Sequence, residues 1–183
     1  MAKGDVMRNW VLGGAIATVF LCSSGAMAIA EQSFPILAQA TEERQAEADR
    51  LLVLGVQQFQ TSQFREALQS WEKALEIYRE IGNRSGEGAS LGNLGIVYQS
   101  LGEYNKAIDY HEQSLVIARE IGNRSGEGKS LSSLGNVYRL LGEYNRAIDY
   151  QEQSLVIARE IGNRSGEGAS LISLGIVYQL LGE

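Results

Sequence analysis

The 183-residue chain is short of the side chains on which most site chemistry depends: it has one cysteine, one histidine and one proline. Cys22 lies near the N-terminus, so the body of the chain forms no disulfide and offers no thiol nucleophile. Stability must then come from packing. His111 has no second histidine and no nearby cysteine to build a His/Cys metal site, which leaves it as a packed residue rather than a ligand. Pro35 stands alone near the start, so everything after it is free to form uninterrupted helices. Excess positive charge is also missing. A formal net charge of −6 excludes the basic footprint that nucleic acid requires.

What the chain has instead is repetition. Residues 91–130 are written again, with about four-fifths identity, at 131–170, and a further copy begins at 171. A fainter copy occupies 51–90, so the period is forty residues. Periods of this size belong to stacked arrays in which each unit buries its apolar face against the next. With 44% hydrophobic and 21% charged residues, and with acids and bases interspersed, the array has both a core and solvated helical faces.

The first 28 residues read as an export signal: Lys3 and Arg8, then the apolar stretch Trp10–Leu21, then small-residue cleavage sequences at Ala26-Met27-Ala28 and Ala28-Ile29-Ala30. The expected location is periplasmic or secreted. The alternative is an uncleaved membrane anchor over residues 10–30, which carry no charge and are long enough to span a bilayer. Residues 29–44 read as a linker holding Pro35 over 29–40 and then the start of the first helix at Thr41-Glu42-Glu43. The array occupies 45–183.

Each repeat holds two helical stretches. Helix A runs from about Gly86 to Ser100, with Leu91, Leu94, Gly95 and Tyr98 forming one stripe. Leu101-Gly102-Glu103 is a turn. Helix B runs from about Tyr104 to Ile121, and Gly122-Asn123 supplies a left-handed stop and the next start. Gly55, Gly95, Gly135 and Gly175 recur in mid-helix, which predicts a close approach to the small Ala107-type residue of helix B. The Leu-x-x-Leu-Gly-x-x-Tyr stretch and the following alanine (Leu91, Leu94, Gly95, Tyr98 and Ala107; Leu54, Gly55, Ala67 and Trp71 in the first copy) resemble the tetratricopeptide repeat. The resemblance implies an all-α, right-handed superhelix of about three and a half helical hairpins. The proline usual near the end of helix B is absent, and the unit is longer than the common one. In length, and in its Gly-Asn-Arg-Ser-Gly-Glu-Gly junction, it is similar to the repeats of kinesin light chains and spindle-orientation adaptors, families that bind extended peptides in a concave groove. Ala46-Glu-Ala-Asp-Arg-Leu-Leu and Gln60-Thr-Ser-Gln-Phe-Arg-Glu-Ala-Leu also resemble bacterial arrays that precede a caspase-like (CHAT) domain.

Eight positions separate 86–125 from 126–165, and six of them lie on helix A. Lys129, Ser132, Asn136 and Arg139 are spaced i, i+3, i+7 and i+10, which places them on one face, away from the packing stripe. The resemblance places this face in the groove, with Gly92, Ile96 and Gln99 on one side and Ile172, Ile176 and Gln179 on the other. Lys129 and Arg139 are expected to hold an acidic side chain or C-terminus, and Asn136 a peptide backbone. A lysine is missing at Ser132, where the carboxylate clamp of chaperone-binding members needs one. Gly86-Glu87-Gly88 lacks the lysine and hydroxyl of a phosphate loop, so no nucleotide and no cofactor is expected. Asn83-Arg84-Ser85 and its copies match a glycosylation sequon but read as helix starts.

The last helix A is expected to expose Leu174, Tyr178 and Leu181 with Ile172, Ile176 and Leu180. This predicts a fragment, a covering partner or self-association. The expected function is a non-catalytic, exported scaffold that binds a peptide or protein segment in its groove. The alternative is the regulatory front end of a caspase-like peptidase whose catalytic domain lies outside this chain.

Overall fold

The computed structural model describes residues 11–12, 15–16 and 24–182, and side chains from residue 37 onward. The chain divides into two units, Met1–Glu43 and Arg44–Glu183. In the first, β1 (Val11–Leu12) pairs antiparallel with β2 (Ala15–Ile16). Helix α1 (Ser24–Gln60) starts there and ends in the second unit. Most of the expected signal at 1–28, and about half of the anchor at 10–30, lies outside the described residues. Among those described, no helix is long and apolar enough to cross a membrane.

The linker expected over 29–40 lies within helix α1. Pro35 removes one backbone donor, whereas Ala26, Ala28, Ala30, Ala38 and Ala40 favour helix on both sides of it. Thr41, expected to open a helix, turns its hydroxyl back onto the carbonyl of Leu37 at 2.9 Å.

In the second unit, six more helices follow: α2 (Phe64–Glu80), α3 (Arg84–Ser100), α4 (Tyr104–Glu120), α5 (Arg124–Leu140), α6 (Tyr144–Glu160) and α7 (Arg164–Leu181). Three-residue turns join them because the sequence places a stop and a start side by side. Gly82, Gly122 and Gly162 take φ of 71, 67 and 68°, a region that costs most other residues about 1–2 kcal/mol. The next residue, Asn83, Asn123 or Asn163, then accepts the amide of Gly86, Gly126 or Gly166 at 2.8–3.0 Å as an N-cap.

Consecutive helices pack as hairpins. The A helices also meet across repeats, α3 against α5 and α5 against α7, whereas the backbones of α2, α4 and α6 stand farther apart. Closer spacing on the A side curls this unit, with α3, α5 and α7 on its inner face. Leu91, Leu94 and Val97 on α3, and Leu131, Leu134 and Val137 on α5, fill the seam and are fully buried. Tyr98 stacks on Tyr110, and Tyr138 on Tyr150, each pair at 5.3 Å.

The recurrent mid-helix glycines do face helix B, but not through Ala107. A Cβ on Gly95 would come within 2.5 Å of the His111 ring; on Gly55, within 2.4 Å of Trp71; and on Gly135, within 2.8 Å of Gln151. The glycine makes room for a large residue one helical turn beyond the alanine.

Charged residues organise the hairpin junctions. Glu87 is held by Arg79 at 2.9 Å and by Arg84, which also pairs with Glu120; Arg119, Glu127, Arg124 and Glu160 repeat the pattern. Burial pushes the Glu87 and Glu127 carboxyls up, but the arginine hydrogen bonds outweigh it and hold both below the usual range.

On α7 the expected exposure is only partly met. Leu174 is buried at 8% because α6 covers that side. The open side is marked by Leu171, 47% exposed where its counterpart Leu131 is 1%, and by Ile172, Ile176, Leu180 and Leu181.

Candidate peptide-binding groove

All ten residues expected to line a groove lie on A helices and none is buried: Gly92, Ile96 and Gln99 on α3, Lys129, Ser132, Asn136 and Arg139 on α5, and Ile172, Ile176 and Gln179 on α7. Their common face follows from the 3.6-residue period. Its place on the inner side follows from the contacts between A helices.

A cavity of about 270 Å³ opens between α3 and α5 with α4 as its floor. It brings Gly92, Ile96 and Lys129 together with Asn93, Ser133, His111 and Ser114. Ser132, Asn136, Arg139 and the three α7 residues are not among its walls. Sequence comparison of the repeats picks out Asn93/Ser133 and His111/Gln151 as variable positions, but their position on the cavity wall depends on how the helices stack. Ser114 is shared with Ser154, so comparing those two repeats gives no signal for it.

Asn136 also bonds within the array. Its side-chain oxygen accepts from Gln151 Nε2 at 3.3 Å and sits 3.5 Å from the Ser173 hydroxyl, which ties it to the neighbouring helices. Gln151 Nε2 also donates to the carbonyl of Ser132 at 3.0 Å. The oxygen of Asn136 is therefore engaged within the array.

Hydroxyls stitch the hairpins together beneath this face. Ser130 lies 3.1 Å from Ser114, whose hydroxyl donates to the carbonyl of Gly88 at 2.9 Å, and Ser170, Ser154 and Gly128 repeat the relay. In the first repeat the relay is broken, because Ala74 stands at the Ser114 position and leaves the Ser90 hydroxyl buried without a partner.

Charge separates Lys129 and Arg139 from the other cations of α3 to α6. Every other lysine and arginine between Lys73 and Arg164 has a carboxylate within 4.0 Å; among the described residues these two have none. They are ten residues apart on α5, roughly 15 Å at the helical rise. His111 is buried, and desolvation lowers its pKa to about 4, so the ring is neutral near pH 7. No group of His, Cys, Asp and Glu able to hold a metal ion occurs among the described residues.

Known proteins share this architecture. The tetratricopeptide-repeat domain of Arabidopsis FLU is 23% identical, with a TM-score of 0.60 over 66% of this chain and 99% of its own. A Podospora anserina protein of nearly identical TPR-like repeats, described as a kinesin light chain, is 22% identical with a TM-score of 0.65, covering 75% of this chain and 68% of that one. The signal-transduction ATPase from Pyrococcus horikoshii with a tetratricopeptide-repeat sensor is 32% identical with a TM-score of 0.59, over 63% of this chain but 18% of its own. No curated protein matches the chain in sequence. The tetratricopeptide-repeat family profile matches residues 36–120 and 127–183, and with the stacked hairpins this places the chain in the tetratricopeptide-repeat family.

Proposed function

We propose that the chain is a non-catalytic, exported scaffold that holds an extended acidic peptide segment along α5, between the A helices. The observation that carries this reading is the pair of cations left without carboxylates. From α3 to the start of α7 every other lysine and arginine has a carboxylate partner, whereas Lys129 and Arg139 lie on the inner A-helix face without one among the described residues. Their spacing of roughly 15 Å matches four or five residues of extended chain. Ile96, Ile172 and Ile176 on the flanking helices supply apolar contact for the other side chains of such a segment. Export is supported by the charged, apolar, small-residue order of residues 1–28.

The Lys129→Glu/Arg139→Glu variant is expected to abolish binding of an acidic peptide, leaving helicity by circular dichroism unchanged. Unaltered affinity removes the reading. N-terminal sequencing of the protein recovered from cells is expected to begin at Ile29 or Glu31; a retained Met1 removes cleavage.

A further inference from the structure

His111 is 1% exposed at the floor of the α3/α5 cavity, and neither of its ring nitrogens has a hydrogen-bond partner among the described residues. Its counterparts are satisfied. Trp71 donates to the carbonyl of Leu52 at 3.0 Å and Gln151 to that of Ser132 at 3.0 Å, in each case three residues before the facing glycine. The matching carbonyl over His111 belongs to Gly92, and no such bond forms. A buried polar ring with both nitrogens unmet is costly unless another group completes it. Lys129 reaches the same cavity, again with no carboxylate among the described residues. Both α3 and α5 pack against α4, and His111 and Lys129 are the only titratable side chains lining the space between them.

We propose that this cavity is the anchor pocket of the array, receiving the carboxylate of one aspartate or glutamate side chain of a bound acidic segment, with Lys129 and the His111 imidazole as donors. The inference rests on the acidic-peptide reading and narrows it to one site. A carboxylate is the group that answers both features, being anionic and acceptor-only. A carboxamide would leave the charge of Lys129 unpaired, and an apolar side chain would leave both groups unmet. The next interval, between α5 and α7, is the internal contrast. Ala169 stands there at the Lys129 position, and Gln151 is bonded to Ser132 and Asn136.

Placing a carboxylate beside His111 favours the protonated ring, so binding takes up a proton. If the bound ring returns from about 4 to its ordinary pKa near 6.5, affinity rises about tenfold between pH 7.5 and 5.5. Glutamate side chains remain mostly ionised over that range.

The test uses N-acetylated, C-amidated hexaglutamate, whose only carboxylates are side chains, titrated into the full chain at both pH values. His111 is the single histidine, so its imidazole NMR signals report one site. Expected are the tenfold gain on acidification, movement of those signals on saturation, and loss of the gain in His111→Gln. Glutamine already fills this place in the next repeat, so that variant keeps the fold. Binding that needs Lys129 and Arg139 but ignores His111→Gln, with unmoved imidazole signals, overturns the pocket and leaves the acidic-groove reading standing. No binding of hexaglutamate at either pH overturns both.

Discussion

The α3/α5 and α5/α7 intervals share one hairpin design and differ in what their polar groups do. Between α5 and α7, Gln151, Ser132, Asn136 and Ser173 bond or approach one another and close the interval from within. Between α3 and α5, the same places hold His111, Gly92, Ile96 and Ser133. No such network forms there, the imidazole is unmet, and a cavity opens. The hydroxyl relay beneath is identical in both. A repeat array can thus keep its packing fixed and create a site by exchanging a few side chains.

The comparison can be broken most severely at the glycines. Gly95→Ala is expected to destabilise by about 2–3 kcal/mol, because the new methyl meets a rigid ring at 2.5 Å. Gly135→Ala meets a flexible glutamine and is expected to lose less. Gly175→Ala meets nothing within 4 Å and should gain about 1 kcal/mol from helix propensity. Thermal or urea unfolding ranks the three, and equal losses at all of them would remove the close-approach account.

Acid sharpens the contrast through His111. Its pKa is about 4 folded and near 6.5 unfolded, so below pH 6.5 the unfolded chain binds the proton first and stability falls until the folded ring also protonates near pH 4. Roughly 2 kcal/mol should disappear between pH 7 and pH 5. Arginine bonding holds Glu167 below the usual carboxylate range, and for Glu87 and Glu127 it outweighs burial to the same end, so these groups lose their contribution only at lower pH. In His111→Gln the loss over pH 7–5 should vanish in urea-unfolding curves. A persistent loss would assign it elsewhere.

A smaller effect is expected from making the second interval like the first. Gln151→His removes the donor to Ser132 and Asn136 and should cost about 1–2 kcal/mol. A neutral result would mean that those bonds add nothing beyond what water supplies.

Much of the fold was legible because repetition fixes both period and register. Gly122-Asn123 marked its helix boundary within a residue or two, and the leucine stripe identified the seam. Pro35 does not end the helix that surrounds it, although its ring and missing donor weigh against one. Gly95 was read as a close-approach residue, but its partner was misplaced by one helical turn, because spacing alone does not say which residue of helix B lies opposite. Asn136 lies on the A-helix face that its spacing predicts, yet its bond to Gln151 spans two helices and has no counterpart in local sequence.

The sequence by itself determined the forty-residue hairpin, its caps, the A-helix face and the two cations on it, because all of these follow from local geometry and periodicity. Only the tertiary structure decided which polar groups would find partners. Whether His111, Gln151 or Ser90 is satisfied depends on atoms brought together from separate helices at hydrogen-bond distance, and a shift of about one ångström changes the answer.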